Sequence, residues 1–461
     1  MQVEAVSFET FSRFMVRWQH VAPDARLRGG DGVAEAMRQQ YGFARPPLAW
    51  ESEYLPARVE DAKPAALSQL SASGELVWVG EGARDAGADA AMGKLRSVRF
   101  LRRGSERAWL AAVAEPSLSD RARSVRQQLQ SRGALFFFEL QQATTLGSHA
   151  LRDALRELVV AGLVTNDTVD ALGAVARWRP LFQDQRAGDP DPARWLPANY
   201  VPSPHRPVVQ RRVNIRRLPR WKRPDHEGGD APWPGRWSLL DRGATPAHHL
   251  EQEESALATI VATQWLERYG VVARDWWRRE RPPVPWRAIY RELRRMELRG
   301  DVRRGYFVRG LAGAQFALPA AVEQLRAAGS VVDDESIVIA ASDPANVWSL
   351  PVASDADGAR DMFGRPRGAR SLLVLRNGRV ICTADSHVRS VAVRPDLDAA
   401  VITAAVRALV KRVAARRARD VVVETINGAS AATSALAGAF VAAGLRLSTA
   451  GLRYYASFER E

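Results

Sequence analysis

Three carboxylates sit in company that could do chemistry: Asp167 in VTNDT, Asp343 in ASDPAN, and Glu459 in the tail FERE. An ionised carboxylate can stabilise a developing positive charge or take a proton from water. Each also has a plainer reading, since Asn-Asp-Thr is common turn chemistry, an Asp before Pro caps a turn, and a terminal Glu is a solvated charge. Cys382, the single cysteine, falls inside an expected strand and reads as buried rather than nucleophilic. Seven histidines are scattered, and the adjacent pair His248-His249 has no cysteine or carboxylate at metal-ligand spacing, so no metal is expected. No GxxxxGK[ST] loop occurs, which excludes a nucleotide-driven motor within this chain. No cofactor is expected either.

The elements that must position these groups follow a recurring pattern. Three times a helical stretch runs into a glycine and then a short apolar strand: PAALSQLSASGELVWVGEG at Gly74, ALRDALRELVVAGLVTNDT at Gly162, and WRAIYRELRRMELRGDVRRGYFV at Gly300. Each glycine stands where a helix C-cap needs a left-handed residue, and each strand could open a wing hairpin, which is the winged-helix pattern. The opening segment, ETFSRFMVRWQHV…DGVAEAMRQQYG, is helical too.

The expected fold class is α+β, with tandem winged-helix modules followed by a C-terminal barrel-like domain. The expected divisions are 1–58 (winged-helix-like), 59–118, 119–185 and 237–330 (winged helix), 186–236 (a basic linker) and 331–461 (β-rich). In the last of these, SIVIAASD reads as a strand and Asn377-Gly378 as a hairpin turn. DAAVITAAVRALVKRVAARRA reads as a long helix, and LRLSTAGLRYYASF as a final strand pair.

With 66 basic against 52 acidic residues, the chain of 461 carries a net charge of +14, which favours a polyanionic partner. The basic arm offers Arg211, Arg212, Arg216, Arg217, Arg220, Lys222 and Arg223 with no acid between Ser203 and Arg223. In the last winged-helix unit, Arg287, Arg291, Arg294 and Arg295 are expected on a recognition helix, and Arg303, Arg304 and Tyr306 on its wing. Tyr290, Leu293, Met296 and Leu298 should turn to the core, and of Tyr306 and Phe307 one should pack inward. A single cysteine points to a reducing compartment, and no run of eighteen apolar residues or signal peptide is present, so a cytoplasmic protein is expected.

FSRFMVRWQHV…LPARV, GELVWVGEG, GLVTNDT, GRWSLL, RRGYFVRGLAGAQFALPAAVEQLR and ASDPAN, in that order, closely resemble the C-terminal region of the Lhr (large helicase-related) family, with the helicase core absent. That resemblance implies winged-helix modules with a β-barrel module, a likeness to AlkZ/YcaQ-type DNA glycosylases, a role in DNA repair, and removal of uracil from DNA. It also implies DNA, single-stranded or duplex, as the partner, an Lhr-type helicase core as a further one, and homo-oligomers. The Gln-x-Gln or Gln-x-Asp motif of AlkZ-type enzymes has no counterpart at Gln141-Gln142 or Gln315. Asp343 and Glu459, outside the winged-helix modules, rank first as catalytic carboxylates and Asp167 third. Two readings from other classes stand beside the glycosylase: a non-catalytic DNA-binding and oligomerisation module accessory to a helicase, and a winged-helix transcription regulator.

Overall fold

The computed structural model describes residues 4–82, 95–110, 117–179, 232–240, 250–330, 334–350, 371–394, 396–417 and 420–456. The basic arm from Arg211 to Arg223, His248-His249 and Glu459 lie outside the described residues.

The first helix, Phe8–Trp18, is capped by Ser7, whose hydroxyl accepts from Thr10 N at 3.2 Å. Phe8, Phe11, Phe14 and Met15 recur at helical spacing and are buried. They pack against residues some 250 to 310 positions later, in a core shared with Val261, Trp265, Ile289 and Leu325. Val6 forms a parallel bridge with Val308, so the N-terminal segment is stitched to the last winged-helix unit.

That unit runs helix Leu250–Tyr269, strand Val271–Val272, helices Arg274–Glu280 and Trp286–Arg299, and strands Arg303–Gly305 and Gln315–Ala317. Its three strands pair antiparallel with Gln315–Ala317 in the middle. A second unit repeats the order. Helices Asp120–Arg132, Phe137–Thr144 and Ser148–Val160 surround a sheet of Leu135–Phe136, Arg236–Leu239 and Val164–Asn166. The chain leaves this sheet after Asn166 and returns to it at Arg236. Strand Leu76–Glu81 pairs with Ser97–Arg102 as an antiparallel hairpin. The three capping glycines have φ of 83° (Gly74), 64° (Gly162) and 88° (Gly300), the left-handed backbone that closes each helix.

The C-terminal part carries a six-stranded sheet that begins Ile337–Ala340, Leu372–Arg376, Arg379–Ala384 and Ser390–Val393, and ends on Ala429–Ser430. Asn377 and Gly378 have φ of 50° and 77°, the mirror-image turn that matches strand twist. Alternation along these strands is apolar on both faces. Ile337, Ile339 and Leu373 join the core of the first helix, while Val338, Leu372 and Val374 join a separate core under helix Ala399–Arg417. The expected mix of winged-helix units and a β-rich C-terminal part is what the structure has; among the described residues the strand order of this sheet runs open from Ile337–Ala340 to Ala429–Ser430, so it is not a closed barrel. With both faces covered, burial is satisfied without joining the edges. Strands Val421–Val423, Gly451–Tyr454 and Arg446–Ser448 form a second small sheet.

Candidate active site and nucleic-acid interface

Asp343 lies in the loop after strand Ile337–Ala340, 1% exposed. Its Oδ1 accepts from Arg58 Nη2 at 2.7 Å and from Ala345 N at 2.9 Å, and its Oδ2 from Arg58 Nη1 at 3.0 Å. Burial alone would raise its pKa, but the paired guanidinium and the Ala345 amide hold it below the usual carboxylate range. Arg58, also 1% exposed, extends the network by donating to Gln19 Oε1 at 2.9 Å and Tyr54 O at 3.2 Å. Arg279 wraps the same loop from outside, donating to the carbonyls of Asp343, Pro344 and Asn346. Asp343 is therefore both a turn residue and one half of a buried bidentate ion pair joining two distant stretches of chain.

A second buried pair lies next to it. Arg268 Nη1 donates to both Glu280 oxygens at 2.6 Å, Trp265 Nε1 donates to Glu280 at 3.0 Å, and Tyr269 gives Glu280 its hydroxyl proton in a short hydrogen bond. Burial pushes Glu280 up, yet Arg268 and these donors bring it below its ordinary value. The two networks touch through Gln19, whose Nε2 donates to Arg268 O at 3.0 Å. The Phe43 ring sits among three guanidinium groups: Arg45 at 3.3 Å, Arg268 at 5.1 Å and Arg279 at 5.9 Å from its centroid. Burial pushes Arg45 down to about 10.

Beside this centre opens a cavity of about 260 Å³ lined by Arg17, Trp18, His20, Arg38, Gln39 and Glu267, among others. Sequence reasoning did not single out Glu267. It lies near the end of an ordinary helical run, ATQWLERYG, and nothing in its spacing marks it.

The three candidate carboxylates are not brought together. Asp167 takes part in the sheet of the other winged-helix unit, where Oδ1 accepts from Arg236 N at 2.7 Å and Oδ2 from Arg236 Nε at 2.9 Å. Neighbouring Asn166 accepts from Thr168 N at 2.8 Å, so the turn reading describes this segment. Cys382 is fully buried in strand Arg379–Ala384 and its thiol is pushed up to about 12, which leaves it unreactive. No group of three or more metal-ligating side chains occurs among the described residues.

The arginines of helix Trp286–Arg299 face outward, but not bare. Arg287 and Arg291 share Glu254, Arg294 and Arg304 share Glu297, and Arg295 and Arg299 share Glu292. Arg303, exposed on the wing, has no carboxylate partner among the described residues. Leu293 and Met296 are buried, and Tyr290 packs edge-on against Phe316. Leu298 corrects the expectation for its face. It is 81% exposed, because five residues after Leu293 the helix has turned its side chain past the core. Just past the wing strand Arg303–Gly305, Phe307 is buried and Tyr306 is 70% exposed, so the aromatic left in solvent is Tyr306. No helix among the described residues is long and apolar enough to cross a membrane.

Two family models match the chain, both described as large helicase-related protein, winged-helix domain, at residues 6–101 and 251–337. A Mycolicibacterium smegmatis protein described as "Lhr helicase/ probable uracil glycosylase" is 33% identical over 468 aligned positions, covering 98% of this chain and 28% of that protein. An Escherichia coli "Lhr helicase/uracil glycosylase" is 29% identical over 405 positions, covering 82% of this chain and 24% of that one. The chain thus spans about a quarter of the length of the curated relatives it matches. Among solved structures, a Streptomyces sahachiroi DNA glycosylase, AlkZ, superposes with a TM-score of 0.48 at 13% identity, covering 89% of this chain and 96% of that one. The chain carries two winged-helix domains of the large helicase-related family and is homologous, nearly end to end, to a part of that family's members.

Proposed function

We propose that this chain binds DNA and removes a base from it, uracil being the first candidate, by hydrolysis of the N-glycosidic bond. The observation that carries the reading is the alignment of 98% of the chain with a relative whose name includes a uracil glycosylase. The physical properties agree with it. A net charge of +14 attracts phosphate, and winged-helix units present a helix and a wing to a duplex. Arg287, Arg291, Arg294, Arg295, Arg303 and Arg304 supply the phosphate-facing surface in this reading, with Tyr306 free to stack on a base or sugar. Removing a base requires flipping it out of the stack, which costs a few kcal/mol and is easiest at damaged or mispaired sites.

In this reading Asp343 acts by position. Both of its oxygens are occupied, so it holds Arg58, Gln19 and the Asp343–Asn346 loop in place around the site. The experiment is to incubate the purified chain with a uracil-containing oligonucleotide and then with alkali. Strand cleavage above the enzyme-free control supports base excision. Binding without cleavage would leave the chain a DNA-binding module accessory to a helicase.

A further inference from the structure

The base-excision reading leaves open which carboxylate touches the substrate, and the cavity beside Trp18 answers it. Three helices meet there. Phe8–Trp18 supplies Arg17 and Trp18, Gly29–Gln39 supplies Arg38 and Gln39, and Leu250–Tyr269 supplies Glu267. Their junction is pinned through main-chain oxygens. Trp18 Nε1 donates to Glu267 O at 2.9 Å, and Gln39 Nε2 donates to Trp18 O at 2.8 Å and to Glu267 O at 3.3 Å. The backbone around the cavity is thereby fixed.

The side chains are not equally satisfied. The half-buried Glu267 carboxylate makes no hydrogen bond or ion pair among the described residues. Arg38, the cation acting on it most strongly, is already engaged by Glu35, to which its Nε donates at 3.1 Å. Gln39, only 7% exposed, leaves its Oε1 without a donor. A half-buried carboxylate and a buried amide oxygen, both lacking hydrogen-bond donors, cost folding free energy that the charge of Arg38 only partly offsets. Both belong to the lining of one cavity. Its volume, about 260 Å³, lies at the small end of ligand sites, so it suits a single base rather than a larger molecule.

We propose that this cavity receives the flipped nucleotide and that Glu267 is the catalytic carboxylate. The inference rests on the base-excision reading. Glu267 takes a proton from a water whose oxygen bonds to the sugar C1′ as the C1′–N bond breaks. The bonding pair leaves on the base nitrogen, which then receives the proton from Glu267. Trp18, held by its indole N–H, forms the apolar wall, and Arg17 and Arg38 face the flanking phosphates. The ionisable groups that face Glu267 are Arg17, His20, Glu35 and Arg38, with Arg268 and Arg102 acting from farther off. Burial raises Glu267 above the usual carboxylate range, with Arg38 drawing it down and Glu35 pushing it up. Ionised Glu267 is thus unfavourable for folding at neutral pH, and removing its charge should stabilise the chain.

The test compares the wild type, Glu267→Gln and Asp343→Asn on a uracil-containing oligonucleotide, reading single-turnover excision against pH, oligonucleotide binding and Tm. The expected result is wild-type excision with an acid limb above the pH of an ordinary glutamate. Glu267→Gln should then be about 10²- to 10⁴-fold slower, with no such limb, near-unchanged binding, and a Tm equal to or above wild type. Asp343→Asn should instead lose Tm. Excision by Glu267→Gln at the wild-type rate would overturn the assignment while leaving the base-excision reading intact. A lowered Tm in Glu267→Gln would also overturn it, by showing a carboxylate placed for folding. A wild type that binds but does not excise would remove both.

Discussion

Arg58 and Asp343 are 285 positions apart in sequence and share two hydrogen bonds in a site closed to water. Arg58→Met should cost about 3–5 kcal/mol, since it leaves a buried carboxylate unpaired, and chemical denaturation would measure it. Adding Asp343→Asn to that variant should recover part of the loss, and no recovery would contradict the pairing. The pH dependence has a definite sign. Asp343 is depressed on folding, so the stability it contributes is present above its unfolded pKa of about 3.9 and lost as pH falls through its lower folded value. Glu267, raised on folding, has the opposite sign. Asp343 was legible in the sequence as an unusual carboxylate in a turn, and the structure keeps it there. Its partner was not legible, because nothing near LPARV announces a residue so far along the chain. Glu267 was missed for a related reason: its lack of partners is a property of three helices meeting, not of its own neighbours. Cys382 was read correctly as buried because its strand is a run of apolar residues, and of Tyr306 and Phe307 one does pack inward, although both lie just past the strand Arg303–Gly305.

At the scale of elements, the hairpin turn Asn377-Gly378 joins the C-terminal sheet to the first helix. Arg13 Nη1 donates to Asn377 Oδ1 at 2.8 Å, and Trp348 Nε1 donates to Gly378 O at 3.0 Å. A Cβ on Gly378 would stand 2.1 Å from Glu9 O, at a φ of 77°. Gly378→Ala should therefore cost more than about 1 kcal/mol, from strain and from undocking the turn, which thermal unfolding would show as a lowered Tm. An unchanged Tm would mean that the contact carries no weight. The dipeptide was recognisable as a turn from sequence, as were the three capping glycines, because each depends on local backbone preference. What the turn docks against was not. Whether the sheet closes was not legible for a similar reason: short apolar strands look alike whether they close on themselves or are covered on both faces by other elements.

Across the whole molecule, charge decides how it meets a polyanion. If the excess of basic residues contacts phosphate, affinity for DNA should fall steeply between about 50 and 200 mM salt. The ion pairs refine this expectation. Glu254, Glu292 and Glu297 already hold most arginines of helix Trp286–Arg299, whereas Arg303 stands without a carboxylate partner among the described residues. Arg303→Ala should reduce the salt slope by about one unit, and Arg304→Ala by less, because Glu297 partly neutralises Arg304 before DNA arrives. An unchanged slope in Arg303→Ala would reject the wing as a contact. The most direct test of the central claim is the release of free base. With the purified chain in excess over a uracil-containing oligonucleotide, uracil measured by chromatography should appear in proportion to abasic sites, with no added metal or nucleotide. Full binding of the oligonucleotide with no uracil released over the enzyme-free control would contradict it.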